Sequence, residues 1–187
     1  MTISSAFSPI DLQRRSLPVR LLAIAFGTVL LAISSRIEVP MVPVPITMQT
    51  FAVAMIGALY GWRLGAITVL GWLGQAAAGL PVLAGGAAGL AHFAGPTAGY
   101  LVAFPVMAAL IGWLAERGWN GNRAGLAFLS MLAGNLLCLA LGAAWLAQGI
   151  GWDAAIAHGV LPFILGGVLK SAVGALALRQ LGRPRRP

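Results

Sequence analysis

Six apolar runs follow one another along this chain, at residues 21–35, 47–60, 64–78, 97–115, 124–148 and 158–181, and the first five contain no charged residue. A bilayer-crossing helix needs about 20 mainly apolar residues, because in hydrocarbon only a backbone that satisfies its own hydrogen bonds is tolerated. Six such runs within 187 residues leave no length for a separate soluble domain. The expected fold is therefore all-α: an integral membrane protein built as a compact bundle of six transmembrane helices with ordered outward-facing loops. It is read as one domain over residues 1–187, with short cytoplasmic tails at 1–17 and 182–187. Composition agrees, since 59% hydrophobic and 9% charged residues cannot clothe a water-soluble surface.

The first run follows Arg14, Arg15 and Arg20 and resembles a secretory signal, but Arg36, Ile37 and Glu38 come next and no small-residue cleavage site is present. It is read as a retained helix. Runs 47–60 and 64–78 are short for spans and are expected to form a tight hairpin around Gly61, Trp62 and Arg63. Between the first and second runs, Pro40, Pro43 and Pro45 exclude regular helix, because proline lacks an amide hydrogen and disfavours helix in the residue before it. The uncharged glycine- and alanine-rich stretch 81–96 suits an irregular segment folded into the outer mouth.

In a six-helix arrangement, Arg63, Arg117, Arg123, Arg179 and the arginines of both tails fall on one side, which the positive-inside rule makes cytoplasmic. Arg36, Glu38, Asp153 and His158 fall on the other. The chain is thus expected in the bacterial cytoplasmic (inner) membrane, with both termini inside and the loops facing out. The net charge of +8 is spent on this orientation; it forms no basic stripe of the kind that binds nucleic acid.

Gly57, Gly61 and Gly65 recur every fourth residue, a spacing that lets helix backbones approach closely in lipid. Ala23 and Gly27 form a similar pair that either packs internally or meets another membrane subunit. Most of the six tryptophans lie near span ends and suit interfacial anchoring, with Trp72 and Trp145 as exceptions. Gln75 and Asn135 suit hydrogen bonding between helices.

Lys170 is the one cation near the middle of a span, where a charge costs about 2.5–3.5 kcal/mol to insert. Its neighbours one turn back are Gly166 and Gly167, so no acid on its own helix offsets it. The functional reading is an amine that donates to a ligand carbonyl or carboxylate; the structural one is snorkelling or a distant partner, with Gln49 and Asn135 among the polar groups available. His92 and His158, far apart and without an acidic cluster, make no metal site and are read as interface histidines. Cys138 is a lone core residue. No phosphate-binding loop is present, so an ATP-driven activity would need partner subunits, and no cofactor is expected. An intramembrane enzyme would need a nucleophile with a positioned base, which the scattered titratable residues do not offer. A self-sufficient carrier, alone or as a homo-oligomer, would be favoured by inverted repeats, and none is visible.

Several segments, in order, resemble the BioY family: VPVPITMQT at residues 42–50, GLPVLAGGAAG at 79–89, GPTAGYL at 95–101, GAAWLA at 142–147 and LPFILGGVLKSA at 161–172. That family comprises the biotin-specific substrate-binding subunits of energy-coupling factor (ECF) transporters. The resemblance implies six helices enclosing a biotin cavity, with uptake powered by a transmembrane coupling subunit and two ATPase subunits. It implies biotin binding by Thr47, Gln49, Gly85, Gly86, Gly95, Thr97, Gly99, Tyr100, Asn135 and Lys170, and contact with the coupling subunit by Ala23 and Gly27. One departure bears on the site. In the family an aspartate usually stands three residues before the lysine of the last helix, and here that residue is Gly167. An acceptor for a ureido N–H and a counter-charge for Lys170 are both missing, so another residue must substitute or affinity falls.

Overall fold

In the computed structural model, Leu12 and residues 15–182 are described; the tail arginines Arg14, Arg183, Arg185 and Arg186 lie outside them. The elements in order are α1 (Leu17–Arg36), β1 (Glu38–Val39), β2 (Ile46–Thr47), α2 (Gln49–Ala77), α3 (Ala98–Glu116), α4 (Ala124–Ile150), α5 (Trp152–Gly159) and α6 (Leu161–Leu181). Two short 3-10 turns, Ala84–Gly86 and Leu90–Phe93, interrupt the irregular segment between α2 and α3. Among the described residues, five helical stretches are long and apolar enough to cross a membrane, with α5 and α6 taken as one. The six apolar runs thus give five such stretches, because runs 47–60 and 64–78 share one helix.

That shared helix is not straight. At Gly61 the backbone takes φ 78° and ψ 173°, a conformation that glycine alone adopts readily. A Cβ placed on Gly65 would lie 3.1 Å from the Cα of Gly57, whereas residues eight apart in a straight helix are about 12 Å apart. The chain therefore doubles back at Gly61, and the 57/61/65 glycine series lets the two arms touch. α3 closes on the same corner. A Cβ on Gly112 would come 2.5 Å from the Trp62 nitrogen, one on Gly57 would come 2.6 Å from the Ala108 oxygen, and the Trp62 amide donates to Glu116 Oε1 at 3.1 Å.

The core lies between α2 and α3, where Val53, Val69, Trp72, Ala103 and Met107 are all fully buried. α1 packs on this pair along a seam of small and polar groups. Gln75 Nε2 donates to Thr28 Oγ1 at 3.3 Å, which realises the interhelical role expected of this glutamine. α6 remains mostly exposed along its length, and together with the outer sides of α1 and α4 it presents Leu, Val and Ile to what the hydropathy identifies as lipid.

The loops on either side of α2 are tied down. β1 and β2 pair antiparallel, Glu38 opposite Thr47 and Val39 opposite Ile46, so the proline-rich segment forms a small hairpin. The stretch after α2 is held by its carbonyls: Val82 O accepts from Ser35 Oγ at 2.9 Å and from Trp72 Nε1 at 3.1 Å, and Pro81 O accepts from Arg36 Nη2 at 2.7 Å. Trp72, an exception to the interfacial tryptophans, is thus a fully buried post for the loop.

Candidate functional site

Beneath these two loops lies a cavity of about 220 Å³, bounded by the start of α2, the first half of α3 and the middles of α4 and α6. At roughly 10–15 Å³ for each water-sized position, it holds about fifteen of them, enough for a small bicyclic ligand. Its walls are mainly apolar, with Val44, Leu83, Leu101, Phe104, Leu139 and Phe163 prominent. Polar groups gather where α2, α4 and α6 meet.

Lys170 sits at that meeting point. Its Nζ donates to the Thr47 carbonyl and to Thr50 Oγ1, the latter at 3.2 Å, and so fastens α6 to the end of the β-hairpin across more than a hundred residues of chain. An ammonium has three N–H donors, and two are used; Lys170 also lines the cavity, where the third is available. The compensation that an intramembrane cation requires comes from neutral oxygens, since no aspartate or glutamate lines the cavity.

Gln49, only 5% exposed, begins α2 on the same wall. The Thr47 hydroxyl accepts from the Gln49 backbone amide at 3.2 Å and donates to Gln49 Oε1 at 3.1 Å. Gln49 Nε2 is buried and has no partner. Asn135, on α4, lines the same cavity. Its Nδ2 donates to Met131 O at 3.0 Å and to Ser171 Oγ at 3.2 Å, while the Ser171 hydroxyl gives its own proton to Gly167 O at 2.7 Å.

Six of the ten expected ligand residues line the cavity: Thr47, Gln49, Thr97, Tyr100, Asn135 and Lys170. The four glycines do not. Gly85 and Gly86, with φ 63° and 79°, shape the loop above; Gly85 borders a neighbouring, more open hollow beside Glu38, and Gly86 lies under the Arg36 guanidinium. Gly95 offers its carbonyl to Trp145 Nε1 at 3.0 Å. Gly99 lets α3 approach α4, since a Cβ there would lie 3.0 Å from Leu141 O. Tyr100 does structural work as well: its hydroxyl donates to Gly159 O at 2.8 Å and holds the joint between α5 and α6. Ala23 and Gly27 lie in the α1–α2 seam, with Ala23 O accepting from Tyr60 OH at 2.9 Å and a Cβ on Gly27 only 2.5 Å from Thr68 Cγ2. These contacts fit internal packing at Gly27.

Sequence reasoning missed Thr50, His92, Phe104, Cys138 and Phe163 as cavity residues. A signal existed for most of them. Phe163, Gly166, Gly167 and Lys170 form one helical stripe at spacings of three and four, as do Asn135, Cys138 and Leu139, and Thr97, Tyr100, Leu101 and Phe104. His92, in the second 3-10 turn, lies in irregular chain where no periodicity applies.

This arrangement matches known proteins over nearly its whole length. The family model described as "BioY family" matches residues 8–186. The chain belongs to the BioY family. Among its relatives, a biotin transporter BioY of Rhizobium etli is 40% identical over 169 residues, covering 85% of this chain and 90% of the relative. A probable biotin transporter BioY of Pyrococcus horikoshii is 34% identical over 158 residues, covering 84% and 93%. In three dimensions this BioY chain is similar to the S-component for biotin from an ECF-type ABC transporter, solved at 2.1 Å, with a TM-score of 0.77, 31% identity and coverage of 87% and 89%.

Proposed function

We propose that this chain is the substrate-binding (S) subunit for biotin of an ATP-driven ECF transporter, capturing the vitamin at the outer face of the membrane for uptake. The observation that carries the reading is the mainly apolar cavity beneath the loops whose few polar groups converge on α6, in a chain similar over most of its length to proteins named as biotin transporters. Biotin joins an apolar ring to a ureido head and a carboxylate tail, and such a ligand needs an apolar wall with a small number of directed donors and acceptors. The chain is a transport subunit and not an enzyme. A coupling subunit and two ATPase subunits would supply the energy, and no cofactor is needed by the chain itself.

In this reading both arms of α2 cross the membrane, which gives six passages. Support comes from the reversal at Gly61, from Arg63 lying beside it, and from Glu116 of α3 meeting Trp62 at the same end. Arg117 follows α3, Arg123 precedes α4 and Arg179 lies in the last turn of α6, all at the end that the positive-inside rule makes cytoplasmic in a bacterial inner membrane, with both termini there.

The test is retention of labelled biotin by the detergent-purified chain, with unlabelled vitamins as competitors, followed by uptake into vesicles with and without the coupling and ATPase subunits. Retention displaced by biotin alone, and uptake that requires ATP hydrolysis, are expected. Displacement by a different vitamin would reassign the ligand. Uptake by the lone chain without ATP would make it a self-sufficient carrier.

A further inference from the structure

Directly opposite residues of an antiparallel pair carry their side chains on the same face of the ribbon, about 5 Å apart. Glu38 stands opposite Thr47, and Thr47 lines the ligand cavity. The Glu38 side chain therefore shares the cavity's face of the hairpin. It lines the neighbouring, more open hollow, of about 370 Å³, whose walls include Pro40, Met41, Val42 and Pro45. Pro45 and Ala84 line both spaces, so the two adjoin, and the outer one is where a ligand longer than the cavity would continue.

The Glu38 carboxylate is unsatisfied among the described residues. Its Oε2 is buried without a hydrogen bond, and its Oε1 stands over Gly85, 3.5 Å from where a Cβ would lie. The cation two residues away is engaged elsewhere: Arg36 Nη2 donates to Pro81 O at 2.7 Å, and its guanidinium covers Gly86. A carboxylate shut away from water without a donor is costly, and a donor entering the hollow would relieve that cost.

The walls set the class of occupant. An apolar trough that ends in a carboxylate complements an alkyl chain that ends in an ammonium. A free acid is the wrong tail, because its own carboxylate, extended into this space, would meet a like charge. An amide at that carboxyl removes the charge and lets the chain continue.

We propose that the hollow beside Glu38 is a second subsite, which takes the ammonium-ended tail of an amide conjugate of the ligand. Resting on the biotin reading above, the conjugate is biotin joined through its carboxyl carbon to a diamine or to the side-chain nitrogen of lysine. The protein thereby captures amide-linked as well as free forms of the vitamin.

The test uses the purified full chain. Equilibrium affinities are measured for biotin, its pentylamide and its aminopentylamide, with the wild type and Glu38→Gln, at low and high salt. A hydrogen bond from an ionised group, discounted for the open side of the hollow, corresponds to about three- to tenfold in affinity. The wild type should bind the aminopentylamide more tightly than the pentylamide by that factor, and high salt should narrow the gap. Glu38→Gln should bind both amides equally and keep biotin within about twofold of the wild type. Equal affinity of the wild type for the two amides would overturn the subsite, a readout that stands even where the variant does not fold. So would a gap that survives in Glu38→Gln, or a wild type that binds biotin and neither amide. A wild type that binds none of the three would instead overturn the biotin reading itself.

Discussion

Replacing Lys170 with methionine helps to separate binding from folding, because its structural terms partly offset one another. The substitution removes an intramembrane charge, a relief of about 2.5–3.5 kcal/mol for a central position. Against that, the Thr47 carbonyl and Thr50 hydroxyl lose their charged donor, and a hydrogen bond from an ionised group is worth about 1.5–3 kcal/mol. Methionine nearly preserves the length and apolar stem of the lysine, so the packing beside Gly166 and Gly167 survives. Two such bonds together outweigh that relief at most values, so the melting midpoint in detergent should fall by the equivalent of about 0–3 kcal/mol. Biotin affinity has no such compensation. Losing the free N–H of a buried ammonium from the ligand carbonyl should weaken binding by about ten- to a hundredfold. Retention of labelled biotin across a concentration series reads this directly. Unchanged affinity would refute the ligand contact, and an affinity lost only together with the fold would reduce Lys170 to a tie between α6 and the hairpin.

Gly167→Asp has room, its nearest neighbour standing at 3.8 Å, and sets a carboxylate one turn before Lys170; biotin should bind about tenfold more tightly through an added ureido acceptor, and equal or weaker binding in the purified variant would sink that role. Gly61→Ala forces an L side chain to φ 78° and should cost about 1–3 kcal/mol, read as a lowered melting midpoint, with an unchanged midpoint counting against the reversal. Gly27→Leu should destabilise the isolated chain, because its Cβ meets Thr68 Cγ2 at 2.5 Å; normal stability with loss of subunit assembly alone would move Gly27 from the α1–α2 seam to a partner interface. Tyr100→Phe leaves Gly159 O without its donor and should cost about 1–3 kcal/mol of stability, so a midpoint equal to the wild type would show the α5–α6 joint to be held by other contacts.

Hydropathy made the lipid-embedded helices legible because in a bilayer the solvent itself dictates length and composition. The turn at Gly61 was legible too, since two short runs flanking glycine, tryptophan and arginine cannot form one straight span with a charge at its centre. The break between α5 and α6 was not. The last apolar run was read as starting at His158, whereas the structure ends α5 at Gly159 and starts α6 at Leu161, at a joint fixed by the distant Tyr100 hydroxyl. The loop hairpin escaped for a similar reason: its two-residue strands are too short to carry alternation, and the bond from Met48 N to Ile37 O that helps close it is invisible in composition.

Within the site, chemistry was legible and direction was not. A lone lysine in an apolar run announces a polar destination, but nothing in the run says that the destination is the carbonyl of Thr47. The amide of Asn135 was equally readable as glue or as a ligand contact. The structure spends the nitrogen side on Met131 and Ser171 and sets the residue in the cavity wall. A neutral acceptor in this place carries a physical advantage. A carboxylate buried beside the ligand must be desolvated and balanced, whereas a carboxamide locked by two neutral acceptors costs little to bury and still offers one directed oxygen. In a cavity where Gly167 supplies no acid, Lys170 is compensated by the neutral oxygens of Thr47 and Thr50, and the cation that would otherwise be drawn to a counter-ion ties α6 to the hairpin.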